Sequence, residues 1–349
     1  AREKILGQIV DKNIQSVATV AAEPKTATPK SVETKTKTTS KVATIDSKIY
    51  FGFALETRSQ ARIREVEGQI GRKFDFLMTY IQWGNLPNSK IDAAMFSVFN
   101  TENKVPIVTW EPWDPKGTAN QPTYKLTNIT SGNFDSYIRS SAQGIKAYNK
   151  PVFLRFAHEM NGNWYPWAGT VNGNKPEDYI AAYRHIHNIF SQEGVSNVTW
   201  VWCPVTWSVP NLNGNGLLDY YPGSAYVDWV GLDGYNFGNS MSGQKWQSFT
   251  SLFSSGYKQV LGLGKPIMVA ETASSSSGGD KSAWIESSFS RELPENFPAI
   301  KALIWFNINK ETDWDITSPP SAMSQFKKQI SSPVYQPPIR IVNSKIISP

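Results

Sequence analysis

The stretch Pro151-Val-Phe-Leu-Arg-Phe-Ala-His-Glu-Met160 is an apolar run that ends in polar and charged residues. Residues 176–192 follow it, with a proline and two acidic residues suited to a first helical turn, and with an apolar stripe formed by Tyr179, Tyr183, Ile186 and Phe190. A second apolar run, 198–205, comes next. This order of strand, helix and strand is typical of βα units and a parallel sheet.

Eight such apolar runs follow residue 45, with helical patterns between them. They span residues 49–55, 76–84, 105–113, 151–160, 198–205, 227–236, 266–274 and 302–309. Eight strands with eight crossovers predict an α/β fold of the closed (β/α)8 or TIM-barrel type. An open doubly wound sheet would carry a Gly-rich phosphate turn after its first strand, where this chain has Ala54-Leu55-Glu56-Thr57. The barrel is therefore favoured.

The flanking segments differ in composition from the barrel. Residues 1–21 have apolar side chains at roughly helical spacing, which predicts an N-terminal extension with a short helix. Residues 22–48 are rich in Thr, Lys, Ser and Pro, which indicates a flexible linker, either a plain spacer or a tether to the cell envelope. We expect the catalytic barrel over residues 49–332 and an irregular tail over 333–349.

Charge and cysteine content exclude several classes of function. Residues 1–48 carry nine Lys and Arg against five Asp and Glu, a net charge of +4, which leaves only +2 of the total +6 for the barrel and tail. That is too little for a nucleic-acid surface. Cys203 is the only cysteine, so no intrachain disulfide can form. No apolar run approaches the roughly 18 residues of a membrane span.

Three glutamates follow apolar runs, at the strand ends where barrel enzymes carry their catalytic groups. They are Glu111, Glu159 and Glu271. A glutamate there is costly unless it is paired or used in catalysis, so each is a catalytic candidate or one half of a structural ion pair. Strand alternation places Arg155, Ala157 and Glu159 on one face, and Ile267, Val269 and Glu271 on another.

The surroundings of two of these glutamates suggest different roles. Arg155 would hold Glu271 ionised, as a nucleophile requires, and a dry pocket between Trp164 and Trp167 would keep Glu159 protonated as a general acid. Carboxyl groups separated by about 5–5.5 Å on either side of a glycosidic bond lead to double displacement with retention of configuration.

Two longer motifs make the prediction specific. The segment Arg155-Phe-Ala-His-Glu-Met-Asn-Gly-Asn-Trp-Tyr-Pro-Trp167 resembles the acid/base signature of glycoside hydrolase family 26, and Val269-Ala-Glu-Thr-Ala273 resembles its nucleophile strand. The resemblance covers about residues 49–330. It implies that Glu159 is the acid/base, Glu271 the nucleophile, His158 a neighbour that orients substrate, Tyr235 a support for the nucleophile, and Trp164 and Trp305 the pair that sandwiches the sugar.

Further binding residues are predicted from chemistry, since the apolar faces of sugars stack on indoles. Tryptophans at or just past strand ends are candidates for this role, each with core packing as the alternative: Trp83, Trp110, Trp113, Trp207 and Trp305. Glu111 is expected either to bind sugar hydroxyls beside Trp110 and Trp113 or to neutralise an arginine. Asn161 is expected either to meet hydroxyls or to shape its turn, and Asp233 to support the barrel mouth.

The sequence thus predicts a secreted or cell-envelope-associated, monomeric glycosidase that acts on a polysaccharide without a metal or other cofactor. The resemblance implies endo-cleavage of β-1,4-mannan or of mixed-linkage β-1,3-1,4-glucan. Two alternatives stay open: a hydrolase of the producer's own envelope polysaccharide, and a carbohydrate-binding protein without turnover.

Overall fold

The computed structural model of the protein describes residues 48–84, 89–343 and 345–349. The predicted N-terminal extension, 1–21, and residues 22–47 of the predicted linker lie outside the described residues. Within the described ranges, no helix combines the length and the apolar character needed to cross a membrane.

Eight parallel strands close into a barrel in sequence order, and β8 pairs with β1. This confirms the predicted (β/α)8 architecture. Each observed strand overlaps one predicted run, and most are shorter, since several runs continue past the last strand residue into the following loop, as at residues 203–205. The strands are β1 Tyr50–Leu55, β2 Phe76–Gln82, β3 Val105–Glu111, β4 Val152–Phe156, β5 Val198–Trp202, β6 Trp229–Asp233, β7 Ile267–Thr272 and β8 Ile300–Asn307.

The helices form the outer layer. Helix α5 begins and ends at the predicted residues, with Pro176 at its start and the Lys175 amide donating to the Asp178 side chain at 3.1 Å. The helices are α1 Gln60–Ile70, α2 Ser97–Thr101, α3 Leu126–Thr130, α4 Asp135–Tyr148, α5 Pro176–Gln192, α6 Phe249–Leu261, α7 Lys281–Ser287, α8 Leu293–Asn296 and α9 Pro320–Ile330, with a π-helical turn Ser288–Glu292 between α7 and α8.

Aromatic side chains fill the N-terminal end of the barrel. The Phe76 ring lies 5.6 Å from that of Tyr50 and 5.2 Å from that of Phe153, which in turn lies 5.5 Å from Trp229. The tail crosses the same end, where the Tyr50 hydroxyl donates to the Ile347 carbonyl at 3.0 Å. The opposite end, where the strands finish, is referred to as the barrel mouth.

The tail is more ordered than the irregular segment predicted for residues 333–349. It contains a 3-10 turn, Pro333–Tyr335, and two short antiparallel strands, β9 Ile341–Val342 and β10 Lys345–Ile346. Lys345 anchors it to Asp228 through a 2.7 Å ion pair.

Candidate active site

Glu271 reaches the barrel mouth through a β-bulge. Leu232 pairs with Val269 and Asp233 pairs with Glu271, so the β6–β7 pairing skips Ala270. Regular alternation predicted that Glu271 shares a face with Val269, and this is wrong. The extra residue instead puts Glu271 on the face of Asp233, because a bulge reverses the parity of every residue that follows it.

Three donors converge on the Glu271 carboxylate. The Arg155 guanidinium and the Tyr80 hydroxyl both donate to Oε1, the tyrosine at 2.9 Å, and the Tyr235 hydroxyl donates to Oε2. Burial, together with the charge of Glu271, raises the pKa of Tyr80 well above its ordinary value, so this phenol stays a donor. The arrangement suits a carboxylate anion, which accepts hydrogen bonds at both oxygens.

Arg155 connects two carboxylates in the centre of the barrel. Its side chain is fully buried, donates to Asp233 Oδ2 at 2.7 Å and to Thr109 Oγ1 at 2.9 Å, and also contacts Glu271. Burial lowers its pKa, but the charges of Asp233 and Glu271 outweigh burial and raise the pKa of Arg155 well above its ordinary value. The predicted role of Asp233 as a support at the barrel mouth agrees with this contact.

Glu159 is positioned by a turn and not by strand alternation. Strand β4 ends at Phe156, and both Ala157 and Glu159 adopt left-handed backbone conformations, with φ of +48° and +55°. The predicted common face of Arg155, Ala157 and Glu159 therefore does not extend past Phe156. Such backbone conformations are costly for non-glycine residues and cluster at functional sites.

Hydrogen bonds hold this turn in place. The Glu159 amide donates to the Cys203 carbonyl at 2.8 Å, and the Trp164 indole donates to Glu159 Oε2 at 2.7 Å. Trp167 donates its indole N–H to the His158 carbonyl at 2.7 Å and stacks on Tyr165 with ring centroids 4.2 Å apart. Glu159 is fully buried, in the dry surroundings that the sequence predicted for the acid/base.

His158 lies between two glutamates. Its Nε2 is 3.9 Å from Glu271 Oε1 and its Nδ1 is 3.9 Å from Glu111 Oε1. Glu111 Oε2 accepts hydrogen bonds from Gln82 and, at 3.3 Å, from the Trp113 indole. Burial nevertheless raises the pKa of Glu111 to about 7. The side chain is paired with polar neighbours at the cleft wall, so it does not merely neutralise an arginine.

The raised pKa of Glu111 has a testable effect on stability. The folded carboxyl binds a proton up to about pH 7, whereas its ordinary pKa is 4.5, so its contribution to stability is full below 4.5 and is lost as pH rises through 7. Because glutamine does not titrate, we expect the free energy of unfolding of Glu111→Gln to rise by about 3 kcal/mol relative to that of the wild type between pH 4 and pH 8. Urea unfolding at both pH values measures this difference. The exposed Glu286→Gln is the control, and a difference that is constant with pH would contradict the assignment.

The mouth contains a cleft of about 580 Å³. Predicted site residues on its walls are Glu271, His158, Glu111 and Trp113. Glu56, Arg58 and Lys310 place charges around it. Among the other lining residues, which the sequence analysis missed, are Tyr80, Gln82, Tyr165 and Phe306. Tyr80 and Gln82 lie on the same face of β2 as Phe76, which faces the barrel interior, so alternation along this strand could have identified them.

Trp110 and Trp305, like Trp164, are buried and do not line the cleft, and both lie in the layer between barrel and helices. Trp305 is fully buried, lies 5.2 Å from Phe326 of α9 and donates to the Trp314 carbonyl at 3.1 Å. Its neighbour Phe306 lines the cleft instead, because successive residues of a strand face opposite sides. Trp110 is also fully buried and donates to the Tyr137 hydroxyl at 3.1 Å. Both predictions of sugar contact are wrong.

Asn161 shapes the mouth without facing substrate. Its side chain is fully buried, donates to the Val205 carbonyl at 2.9 Å and accepts from the Val205 amide at 3.0 Å. It therefore joins the Glu159 turn to the segment after β5, which favours the predicted role in shaping the turn over contact with sugar hydroxyls.

One cluster among the described residues has metal-ligand spacing. His158, Asp233 and Glu271 hold ligand atoms within 4.8 Å of one another. Both carboxylates already contact the Arg155 guanidinium, whose charge opposes a second cation at the same place.

Comparisons with known proteins identify the family. Residues 32–314 match the model of glycosyl hydrolase family 26. Endoglucanase H of Acetivibrio thermocellus is 38% identical over 279 residues, which are 78% of this chain and 29% of that protein. A mannan endo-1,4-beta-mannosidase of Bacillus subtilis is 26% identical, over 66% of this chain and 58% of its own length. The chain thus spans about a third to three fifths of these relatives.

Solved structures share the fold. A GH26 beta-mannanase from Bacteroides ovatus superposes with a TM-score of 0.63 and 17% identity, covering 83% of this chain and 90% of that one. The family model covers most of the chain, including Glu111, Glu159 and Glu271. The chain therefore belongs to glycosyl hydrolase family 26.

Proposed function

We propose that the protein is an endo-acting β-glycanase that hydrolyses β-1,4-mannan by double displacement with retention. The observation that carries this proposal is the contrast between two buried glutamates at one mouth. Glu271 receives hydrogen bonds from Arg155, Tyr80 and Tyr235, whereas the Trp164 indole donates to Glu159. This contrast supports a nucleophile and an acid/base.

The mechanism has two displacement steps, and Glu271 and Glu159 act in both. Glu271 attacks the anomeric carbon while Glu159 protonates the departing glycosidic oxygen, which leaves a covalent glycosyl-enzyme. Glu159 then takes a proton from water as the water attacks the same carbon and Glu271 departs. Two inversions give net retention. When water displaces Glu271 from the sugar, Arg155, Tyr80 and Tyr235 stabilise the carboxylate that is released.

The role of Glu159 is tested by its replacement. Glu159→Ala is expected to lower hydrolysis of polysaccharide by about 10²–10⁴-fold, because an unactivated sugar leaving group needs a proton. An aryl glycoside with a good leaving group should be attacked much more readily, and azide should then restore its turnover by opening the glycosyl-enzyme. Initial rates with and without azide measure both effects. Equal losses on both substrates, with no effect of azide, would exclude Glu159 as the acid/base.

Mannan is proposed as substrate because relatives in Bacillus subtilis, Piromyces sp and Bifidobacterium adolescentis carry the name mannan endo-1,4-beta-mannosidase. Mixed-linkage β-1,3-1,4-glucan is the second candidate, favoured by the 38% identity to endoglucanase H. That name describes a protein of which this chain matches 29%, so it supports the second candidate less directly. The two sugars differ in an axial or equatorial C2 hydroxyl, a matter of one or two hydrogen bonds.

A reducing-end assay on mannan, lichenan and isolated cell envelopes tests the proposal, with Glu271→Ala as the blank. Release from mannan supports the first candidate, and release from lichenan alone supports the second. Release from envelopes alone would favour an envelope hydrolase. That alternative includes secretion of the protein and its tethering to the envelope through residues 22–48. Binding without release would favour a carbohydrate-binding protein and overturn the proposed activity.

A further inference from the structure

A second cavity, of about 590 Å³, lies between helix α6 and the segment 206–217 that follows β5. We refer to it as the α6 groove. It shares no lining residue with the catalytic cleft. Its walls are formed by Thr206, Trp207, Ser208, Asn211, Gly216, Leu217, Gln244, Gln247, Ser251, Leu252, Ser255 and Gln259.

The chemistry of the α6 groove is polar and uncharged. Eight of the 12 lining residues carry a hydroxyl or an amide, and none is charged, although 18% of the whole sequence is. Phosphates, acidic peptides and basic peptides are recognised by opposite charges, which these walls do not offer. A neutral ligand with many hydroxyl groups fits them, because amides and hydroxyls both donate and accept.

The groove also has an apolar surface suited to a sugar ring. The Trp207 side chain is only partly buried at the groove wall, while Leu217 and Leu252 are buried beneath. An indole offers a flat apolar face, and a pyranose places its C–H groups on such a face while its hydroxyls reach amides nearby. The Trp207 indole is thus exposed enough for a sugar ring to stack on it, whereas Trp110 and Trp305 are fully buried.

The polar wall is a row of side chains along one face of α6. Ser251, Ser255 and Gln259 recur every four residues, so they follow one another along roughly 12 Å of the helix surface. At the start of this row, the backbone N–H of Gln247 donates to Asn236 Oδ1 at 2.9 Å, and the backbone carbonyl of Gln247 accepts from the Trp284 indole at 2.8 Å. A fixed row of this length suits an extended chain better than a single small molecule.

The opposite wall is attached to the catalytic centre. The Thr206 amide donates to the Asp233 carbonyl at 3.0 Å, and Asn161, two residues after Glu159, donates to the Ser208 hydroxyl at 3.2 Å. The groove is therefore held rigidly on the Glu159 side of the barrel.

We propose that the α6 groove is a second binding site for a neutral polysaccharide chain, of the kind that the catalytic cleft cleaves. The inference rests on the proposed function for the identity of the polymer. The site retains the polymer beside the catalytic cleft, which raises the effective concentration of cleavable chain. It therefore affects binding and cleavage of long chains and leaves the chemical step unchanged.

Affinity electrophoresis tests this site apart from turnover. Glu271→Ala protein is run in native gels with and without soluble galactomannan or mixed-linkage β-glucan. Ser255→Arg is added to obstruct the groove from an exposed helix position, and Trp207→Ala to remove the indole. The matched control is Ser324→Arg, at an exposed position in the middle of α9. We expect Ser255→Arg and Trp207→Ala each to weaken the apparent affinity for polymer about two- to tenfold, while Ser324→Arg leaves it unchanged.

Kinetics on the otherwise unmodified enzyme give the second readout. Both groove variants should raise KM for the polymer by a similar factor and leave kcat/KM for a short aryl glycoside within about twofold. Retardation equal to that of the Ser324→Arg control in both gels would overturn the proposal, as would equal losses on polymer and aryl glycoside. If no polysaccharide is cleaved but the gels still show groove-dependent retardation, the proposed function fails and the binding site stands.

Discussion

Replacement of Glu271 with alanine is expected to lower kcat by roughly 10⁴–10⁶-fold, on polysaccharide and on activated aryl glycosides alike. The reason is that no other group among the described residues is held against the anomeric carbon by the same donors. Arg155, Tyr80 and Tyr235 converge on Glu271, and all three would then face an empty position. A good leaving group cannot compensate, because the missing step is bond formation to carbon.

Azide distinguishes this loss from that of Glu159. In Glu271→Ala, azide occupies the vacated side and attacks the substrate directly, so the glycosyl azide has inverted configuration. In Glu159→Ala, azide attacks the covalent intermediate, so the configuration is retained. Proton NMR of the two products measures this. The exposed Glu286→Ala, with unchanged rates, is the control. A Glu271→Ala enzyme within tenfold of wild type would remove Glu271 from the mechanism.

Replacement of Arg155 with methionine is expected to lower the free energy of unfolding by about 3–5 kcal/mol at neutral pH. The change leaves Asp233 and Glu271 buried, close together and without their cation. Burial already raises the pKa of Asp233 well above its ordinary value in the intact protein, and loss of Arg155 raises it further. The destabilisation should therefore be largest at high pH and diminish as pH falls and the carboxylates take up protons.

Denaturant unfolding of Arg155→Met at pH 5 and pH 8 measures this dependence. Lys328→Met is the matched control, because Lys328 and its ion-pair partner Glu286 are both exposed. Exposed pairs contribute about 0–1 kcal/mol, so this variant should be close to wild type at both pH values. A loss for Arg155→Met no larger than that of the control would show that the buried cation does not stabilise the barrel centre.

The sequence predicted the features that repeat along the chain. Alternation of apolar runs and helical stripes gave the closed barrel and the bounds of α5, because these depend on periodicity and on local signals such as Pro176. Position at a strand end also led to Glu111 and Glu271, the last residue of β3 and the penultimate residue of β7, and both line the cleft.

The remaining features depend on single departures from regularity. The bulge at Ala270 reverses the face of Glu271, and the left-handed conformations of Ala157 and Glu159 turn the chain after β4. Neither departure has a glycine or proline to mark it. The same limit explains Trp305: adjacent strand residues face opposite sides, and only the register of the closed barrel decides that Phe306 faces the cleft.

The anomeric configuration of the first product tests the central claim most directly. Proton NMR during the first minutes of hydrolysis, before mutarotation, distinguishes the α from the β form of the newly released reducing end. Attack by Glu271 followed by Glu159-assisted attack of water predicts the β form, as in the substrate. An initial α product would require a single displacement by water and would contradict the assignment of Glu271 as nucleophile.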